Sequence, residues 1–295
     1  MKVRIGVGTG AAGLEGPAVA ALAGDLVDHG FDSLWLPEVL TAPGPDPLVG
    51  LAWAGAAQPR LKLGTTMLLP GRNPVRLAKQ VASLDALSGG RFLVTFVTGL
   101  TRGAERDAVG ADPAGRGSAV DELLPLLRRL WSGDAVSHDG PAGRFRDVAI
   151  SPVPVQEPFD VWLGGIARSS LERCGRLADG WLPAMCSPAE AERGRRVVEE
   201  SAAAAGRSID PEHFGVSIGY AHRPLPDRVA AALAERARGR PLDDLVPVGL
   251  PALRELLERH VAAGFSKFVV RPLVQPTDWR SELDDLAGAV GHLQT

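Results

Sequence analysis

Cysteine is nearly absent from this chain of 295 residues: Cys174 and Cys186 are the only two. Two are too few for a disulfide-stapled scaffold, so a pair of free thiols is expected. Lysine is almost as scarce, with Lys2, Lys62, Lys79 and Lys267 alone, and arginine supplies nearly all the positive charge. The formal net charge of -3 lacks the basic footprint of a nucleic-acid binder. No apolar run approaches the ~18 residues of a membrane span. The opening MKVRIGVGTG passes directly into a strand pattern, without a signal-peptide hydrophobic segment. A cytoplasmic protein that contacts neither nucleic acid nor membrane is therefore expected. None of the six histidines pairs at metal-ligand spacing, and no metal site is expected.

What is present is 45% hydrophobic residues, enough for a sizeable core. Its organising stretch is Leu61 to Gly99. Leu61 to Leu69 is apolar or small throughout, as in a strand buried on both faces. Asn73-Pro74 then supplies a helix cap and a first-turn proline. Leu77, Val81 and Leu84 form one buried stripe, Gly89-Gly90 ends the helix, and Phe92 to Val97 is the next strand. This is a βαβ unit. Continued along the chain, the same pattern gives strands over Val3–Thr9, Ser33–Leu36, Val161–Leu163, Phe214–Tyr220 and Lys267–Val270, and another near Trp181. Eight strands alternating with about eight helices predict a (β/α)8 TIM barrel, one domain over residues 1–295 with insertion segments. Pro125 predicts a kink in the fourth helix, and Ser118 to Asp121 reads as its capping box. Asp134 to Pro158 reads as irregular, and Leu225 to Val246 as a short helix plus loop near the mouth.

GRNPVRLAKQVASLDALSGGR, in that central unit, resembles the signature of the luciferase-like superfamily of flavin- and deazaflavin-dependent oxidoreductases. GFDSLWLPE and LADGWLP (Leu177 to Pro183) resemble it too, and the likeness covers nearly the whole chain. The resemblance implies hydride transfer between the deazaflavin coenzyme F420 and a small organic substrate. An FMN-dependent monooxygenase served by a separate reductase is the alternative; a third reading is a cofactor-binding barrel without catalysis. A homodimer built through barrel helices is also implied.

Candidate site residues follow from strand ends and from the resemblance. Gly8-Thr-Gly10-Ala-Ala-Gly13 is formally a dinucleotide fingerprint, but Pro17 starts the helix too late for it, so the glycines read as loop. Glu38-Val39 stands where many deazaflavin-dependent relatives have Asp-His; the histidine is missing, and Glu38 remains as a carboxylate at the catalytic end of a strand, equally suited to a loop salt bridge. Gly64-Thr65-Thr66-Met67 matches the family's bulge, which implies a cofactor role for Thr65, Thr66 and Met67 and a non-proline cis peptide. Thr98, Gly99 and Leu100 fall where relatives run along the cofactor; some place an acid at Leu100. Gly164, Gly165, Ile166, Ala167 and Arg168 open a helix after a strand. Such a glycine pair lets backbone N–H groups approach a phosphate, and the resemblance makes this the phosphate loop. His222 and Glu38 are the candidate proton carriers, with water the third. Arg271 suits an anionic substrate group or the cofactor's acidic tail, or else a structural salt bridge.

Overall fold

The computed structural model describes residues 1–10, 14, 16–99, 108–109, 112 and 114–295. Eight parallel strands surround a common axis: β1 (Arg4–Gly8), β2 (Ser33–Pro37), β3 (Lys62–Leu68), β4 (Phe92–Val97), β7 (Val161–Leu163), β8 (Gly180–Trp181), β9 (Gly215–Tyr220) and β10 (Lys267–Pro272). Their order is β8-β7-β4-β3-β2-β1-β10-β9. The two outer strands meet through parallel bridges Trp181–Phe214 and Ala184–Ser217, with the Ser217 N–H donating to the Pro183 carbonyl at 2.8 Å. The barrel is closed in this way, although β8 is only two residues long.

The helices outside it are α1 (Gly16–Asp28), α2 (Pro47–Ala57), α3 (Pro74–Ser88), α4 (Arg116–Trp131), α5 (Arg168–Leu177), α6 (Pro188–Ala204), α7 (Asp227–Ala237), α8 (Leu250–Ala262) and α9 (Trp279–Val290). Side-chain caps fix several starts. Asp46 accepts from the Leu48 N–H at 2.9 Å, Asn73 from the Arg76 N–H at 3.0 Å, and Ser187 with Glu190 forms a capping box. Gly89 closes α3 at φ +67°, a conformation that penalises any residue with a Cβ. The main core lies between sheet and helices, where alternate strand residues such as Ile5, Leu34, Leu63 and Phe96 meet the helical stripes.

Two local expectations are corrected, the irregular 134–158 stretch and the capping box at Ser118. The 134–158 stretch contains an antiparallel hairpin, β5 (Val136–Gly140) with β6 (Gly143–Val148); its alternating charged residues are exposed, so no apolar run announces it. Helix α4 runs unbroken through Pro125, whose ring lies on the exposed face. That helix starts at Arg116, with Gly115 as a cap that donates no side chain. Ser118 therefore sits inside the helix, and Asp121 takes Arg173 and Arg176 instead. Helix α1 starts at Gly16, beyond the glycine motif, as the loop reading requires; Gly13 itself lies outside the described residues. Cys174 and Cys186 are buried free thiols.

Candidate active site at the C-terminal mouth

Strand β7 ends beside β4, and the backbone there is committed to glycine. The Gly164 N–H donates to the Phe96 carbonyl at 3.0 Å, and a Cβ on Gly164 would lie 2.7 Å from Val97 Cγ1. Gly165 adopts φ +106°. Its carbonyl accepts from the buried Trp181 indole at 2.9 Å, which anchors the loop from the outer side of the neighbouring strand. Gly165, Ile166, Ala167 and Arg168 are exposed, and the α5 cap, Ala167, has no side chain to satisfy the first N–H groups. The start of α4 is likewise without a side-chain cap. Arg116 stands there, donating to the Gly99 carbonyl at 2.8 Å. The two helices are clamped together by the Arg173 fork on Asp121, at 3.0 and 3.2 Å. The α5 end is thus open and partly positive beside adjacent strand ends, an arrangement that favours an anionic group. At the α4 start, by contrast, the Asp112 carboxylate already accepts from the Ala114 N–H at 3.0 Å. Arg168 adds little to it: its guanidinium pairs with Glu172 and is 78% exposed.

Arg271 faces the barrel interior near the mouth. A Cβ on Gly8 would touch its Cβ at 3.4 Å, and one on Gly219 its Cζ at 3.4 Å, so glycines on both neighbouring strands make room for it. Among the described residues it pairs with no carboxylate. Burial, and secondarily Arg236 of α7, push its pKa down to about 10. Among the described residues the guanidinium therefore has no counter-charge, which suits it to an anion.

Period two divides the β3 residues. Thr66 faces inward, whereas Thr65 is fully buried toward the helices, its hydroxyl donating to the Leu36 carbonyl at 2.7 Å, and Met67 belongs to the outer core. The β3–β4 ladder runs without interruption from Leu63 to Leu68. The cis bonds among the described residues are Ser151–Pro152 and Glu157–Pro158, so the bulge with a cis peptide expected at 64–67 is not present. Thr98 and Gly99 are half-buried at the end of β4; Leu100 lies outside the described residues.

Both proton candidates are occupied. The Glu38 carboxylate is 4% exposed and paired with Arg72, and it accepts from the Leu68 N–H at 2.7 Å. Burial raises its pKa, against the pull of Arg72. It fastens the end of β2 to the loop after β3. His222 Nε2 lies 2.8 and 2.9 Å from the two oxygens of Glu282, the α9 carboxylate that also accepts from the Tyr220 hydroxyl at 2.5 Å. Tyr220 packs outside the sheet, and His222, two residues on, follows it. Trp181, Arg116 and Arg72 were missed as positioning residues. Trp181 had a signal in LADGWLP, and Arg116 in its place at a helix start.

Comparison with known proteins fits this architecture. Curated relatives include an F420-dependent glucose-6-phosphate dehydrogenase of Kineococcus radiotolerans, 26% identical over 166 residues (52% of this chain, 48% of the relative). Another is an FMNH2-dependent dimethylsulfone monooxygenase of Pseudomonas putida, 29% identical over 185 residues (61% and 50%). The matched stretch spans 64% of the first relatives' length, less than two thirds. An F420-dependent secondary alcohol dehydrogenase, solved with an F420–acetone adduct, superposes with a TM-score of 0.83 at 19% identity, covering 100% of both chains. At that identity the likeness speaks to the barrel alone. The luciferase-like monooxygenase family model matches residues 2–269, and the chain belongs to that family.

Proposed function

We propose that this barrel is an oxidoreductase that binds coenzyme F420 and exchanges hydride between the deazaflavin and a small organic substrate. The observation that carries the reading is the cradle at Gly164–Arg168, an exposed glycine turn and a helix start without a side-chain cap. Backbone N–H groups there suit the cofactor's phosphate, and Arg271, which pairs with no carboxylate among the described residues, suits a second anionic group, on cofactor or substrate. Bound F420 would supply the hydride; the chain binds, orients and shields. With Glu38 held by Arg72 and His222 by Glu282, the proton comes from solvent at the mouth. The Kineococcus relative supports F420, while the Pseudomonas putida relative favours a second reading, a reduced-FMN monooxygenase.

Titration of the purified protein with F420 and with FMN, read by tryptophan fluorescence, tests this. The expected result is preference for F420, at least tenfold weaker in Gly165→Asp, which puts a side chain and a negative charge into the cradle. Preference for FMN, with substrate-dependent oxygen uptake, would replace hydride transfer by monooxygenation. Binding of neither would remove both readings. A homodimer and a cytoplasmic location complete the proposal.

A further inference from the structure

Two cations stand together on one side of the mouth. Arg271, on β10, projects into the barrel like Val269 two residues before it, which packs in the interior with Trp35 and Leu182. Its neighbour across the ladder is Gly219 of β9. A Cβ on Gly219 would meet Arg271 Cζ at 3.4 Å and Leu273 Cδ2 at 2.7 Å. The guanidinium therefore leans over β9 in a niche that any larger residue would fill. Arg271 is half-buried, and among the described residues it joins no ion pair.

The second cation is brought by the 225–246 segment. Leu233 and Ala237 of α7 are buried with Leu245, Val246 and Met185, and Leu273, just beyond β10, packs against that cluster. Arg240 bolts down the end of the helix: its Nη1 donates to the Met185 carbonyl at 2.7 Å and lies 3.3 Å from Glu190. Helix α7 is thus seated beside the β9–β10 side of the mouth. Its last turn presents Arg236, exposed and in no ion pair among the described residues. Arg236 is close enough to add to the downward push that burial exerts on the Arg271 pKa, and among the described residues no carboxylate opposes it. A charge drawn out of water is normally paired. Here the charge that bears on it is another cation, so compensation is left to a ligand, a departure of the kind that functional sites show.

We propose that the substrate is a small molecule carrying an oxyanion, a carboxylate or a phosphate ester, which Arg271 grips at the barrel wall and Arg236 approaches from α7. A guanidinium offers a fork of N–H donors that matches either group. Arg271 stands on β10, three strands round the closed barrel from β7 and its proposed phosphate cradle. The acidic tail of F420 is joined to its phosphate on the side away from the ring. With the phosphate at an exposed rim, that tail runs toward solvent and not into the far wall, which leaves Arg271 to the substrate. That the anion belongs to the substrate rests on the oxidoreductase reading above; the anion site itself is measurable without cofactor.

Propionate, methyl phosphate and the uncharged propionamide are titrated against the whole chain, with and without F420 or FMN, by ligand-detected NMR and thermal melting. At least one anion is expected to bind saturably, about tenfold or more tighter than propionamide, and to raise the melting temperature where sodium chloride at equal ionic strength does not. The tighter anion identifies the group. Arg271→Met should weaken it about tenfold or more, as for a hydrogen bond to a charged group, with Arg271→Lys between Arg271→Met and the parent. F420, held at the β7 loop, should bind the Arg271 variants as it binds the parent. Arg236→Ala, at an exposed position, should weaken the anion about two- to threefold. Circular dichroism checks folding; if the Arg271 variants do not fold, Arg236→Ala decides, and indifference to it then overturns the proposal. No saturable anion binding, propionamide as tight as the anions, or anion binding indifferent to Arg271→Met would each overturn it. So would F420 weakened about tenfold in Arg271→Met, which gives Arg271 to the cofactor's tail. Anion binding that needs Arg271, in a chain that binds neither F420 nor FMN, would uphold the anion site and remove the oxidoreductase reading instead.

Discussion

His260, on α8, shows what a single buried residue does to pH dependence. It is fully buried, against Phe265 and Phe268 at ring separations of 5.9 and 6.4 Å. Burial, with Arg259 nearby, lowers its pKa from 6.5 to about 4. Between those values the unfolded chain binds a proton that the folded chain refuses, so stability present at neutral pH is lost as pH falls from 6.5 toward 4. The full loss is about 3 kcal/mol at 1.36 kcal/mol per pH unit. His260→Phe should match the parent at pH 7.5 within about 1 kcal/mol and lose less at pH 5. Urea midpoints at the two values check this, and parallel curves would contradict it. At this scale the sequence was legible only in part. The place of Arg271 near the end of a strand was readable, because strand runs are local. For Glu38 the loop salt bridge held open in the sequence is what forms. Its partner Arg72 and the His222 partner Glu282 could not be named, because they lie 34 and 60 residues away and no local pattern reports a distant ion pair.

Elements were easier to read, since helix caps and strand runs are local. Asn73-Pro74 and Gly89 bound α3 where they were expected to. What the local pattern could not convey is how an element holds its neighbours. Asp85, inside α3 and fully buried, accepts from the Val155 N–H at 2.7 Å, the Gln156 N–H at 3.1 Å and the Gln156 side chain at 2.6 Å. It thereby pins the excursion leading into β7, whose far end carries the candidate phosphate loop. In sequence it is one polar residue among many on a helix. Asp85→Ala leaves that set of donors without its acceptor and should cost about 2–3 kcal/mol, read as a lower urea midpoint at unchanged slope. Asp85→Asn keeps an acceptor and should cost less. Equal stability of Asp85→Ala and the parent would show that the pin is dispensable.

For the whole molecule, the barrel was legible because eight buried strands alternate with amphipathic helices and only a few closed topologies bury both sets of faces. Closure itself rests on the short β8 and its bridges to β9, which no periodicity reveals. The interior was also hidden: inward glycines look alike whether they admit a ligand or an arginine. Helix α2 departs from the alternation. PLVGLAWAGAA carries no charged residue, and although Leu48, Leu51 and Ala54 are buried, Val49 and Trp53 are 67% and 60% exposed. A helix apolar on all sides is normally covered on all sides. The homodimer implied by the family likeness would cover this one, with Trp53 as the large residue set one turn from Val49. Sedimentation velocity of the parent chain should then show a dimer, and Trp53→Glu a monomer with an unchanged far-ultraviolet spectrum. A monomeric parent, or a dimeric Trp53→Glu, would move the interface away from α2.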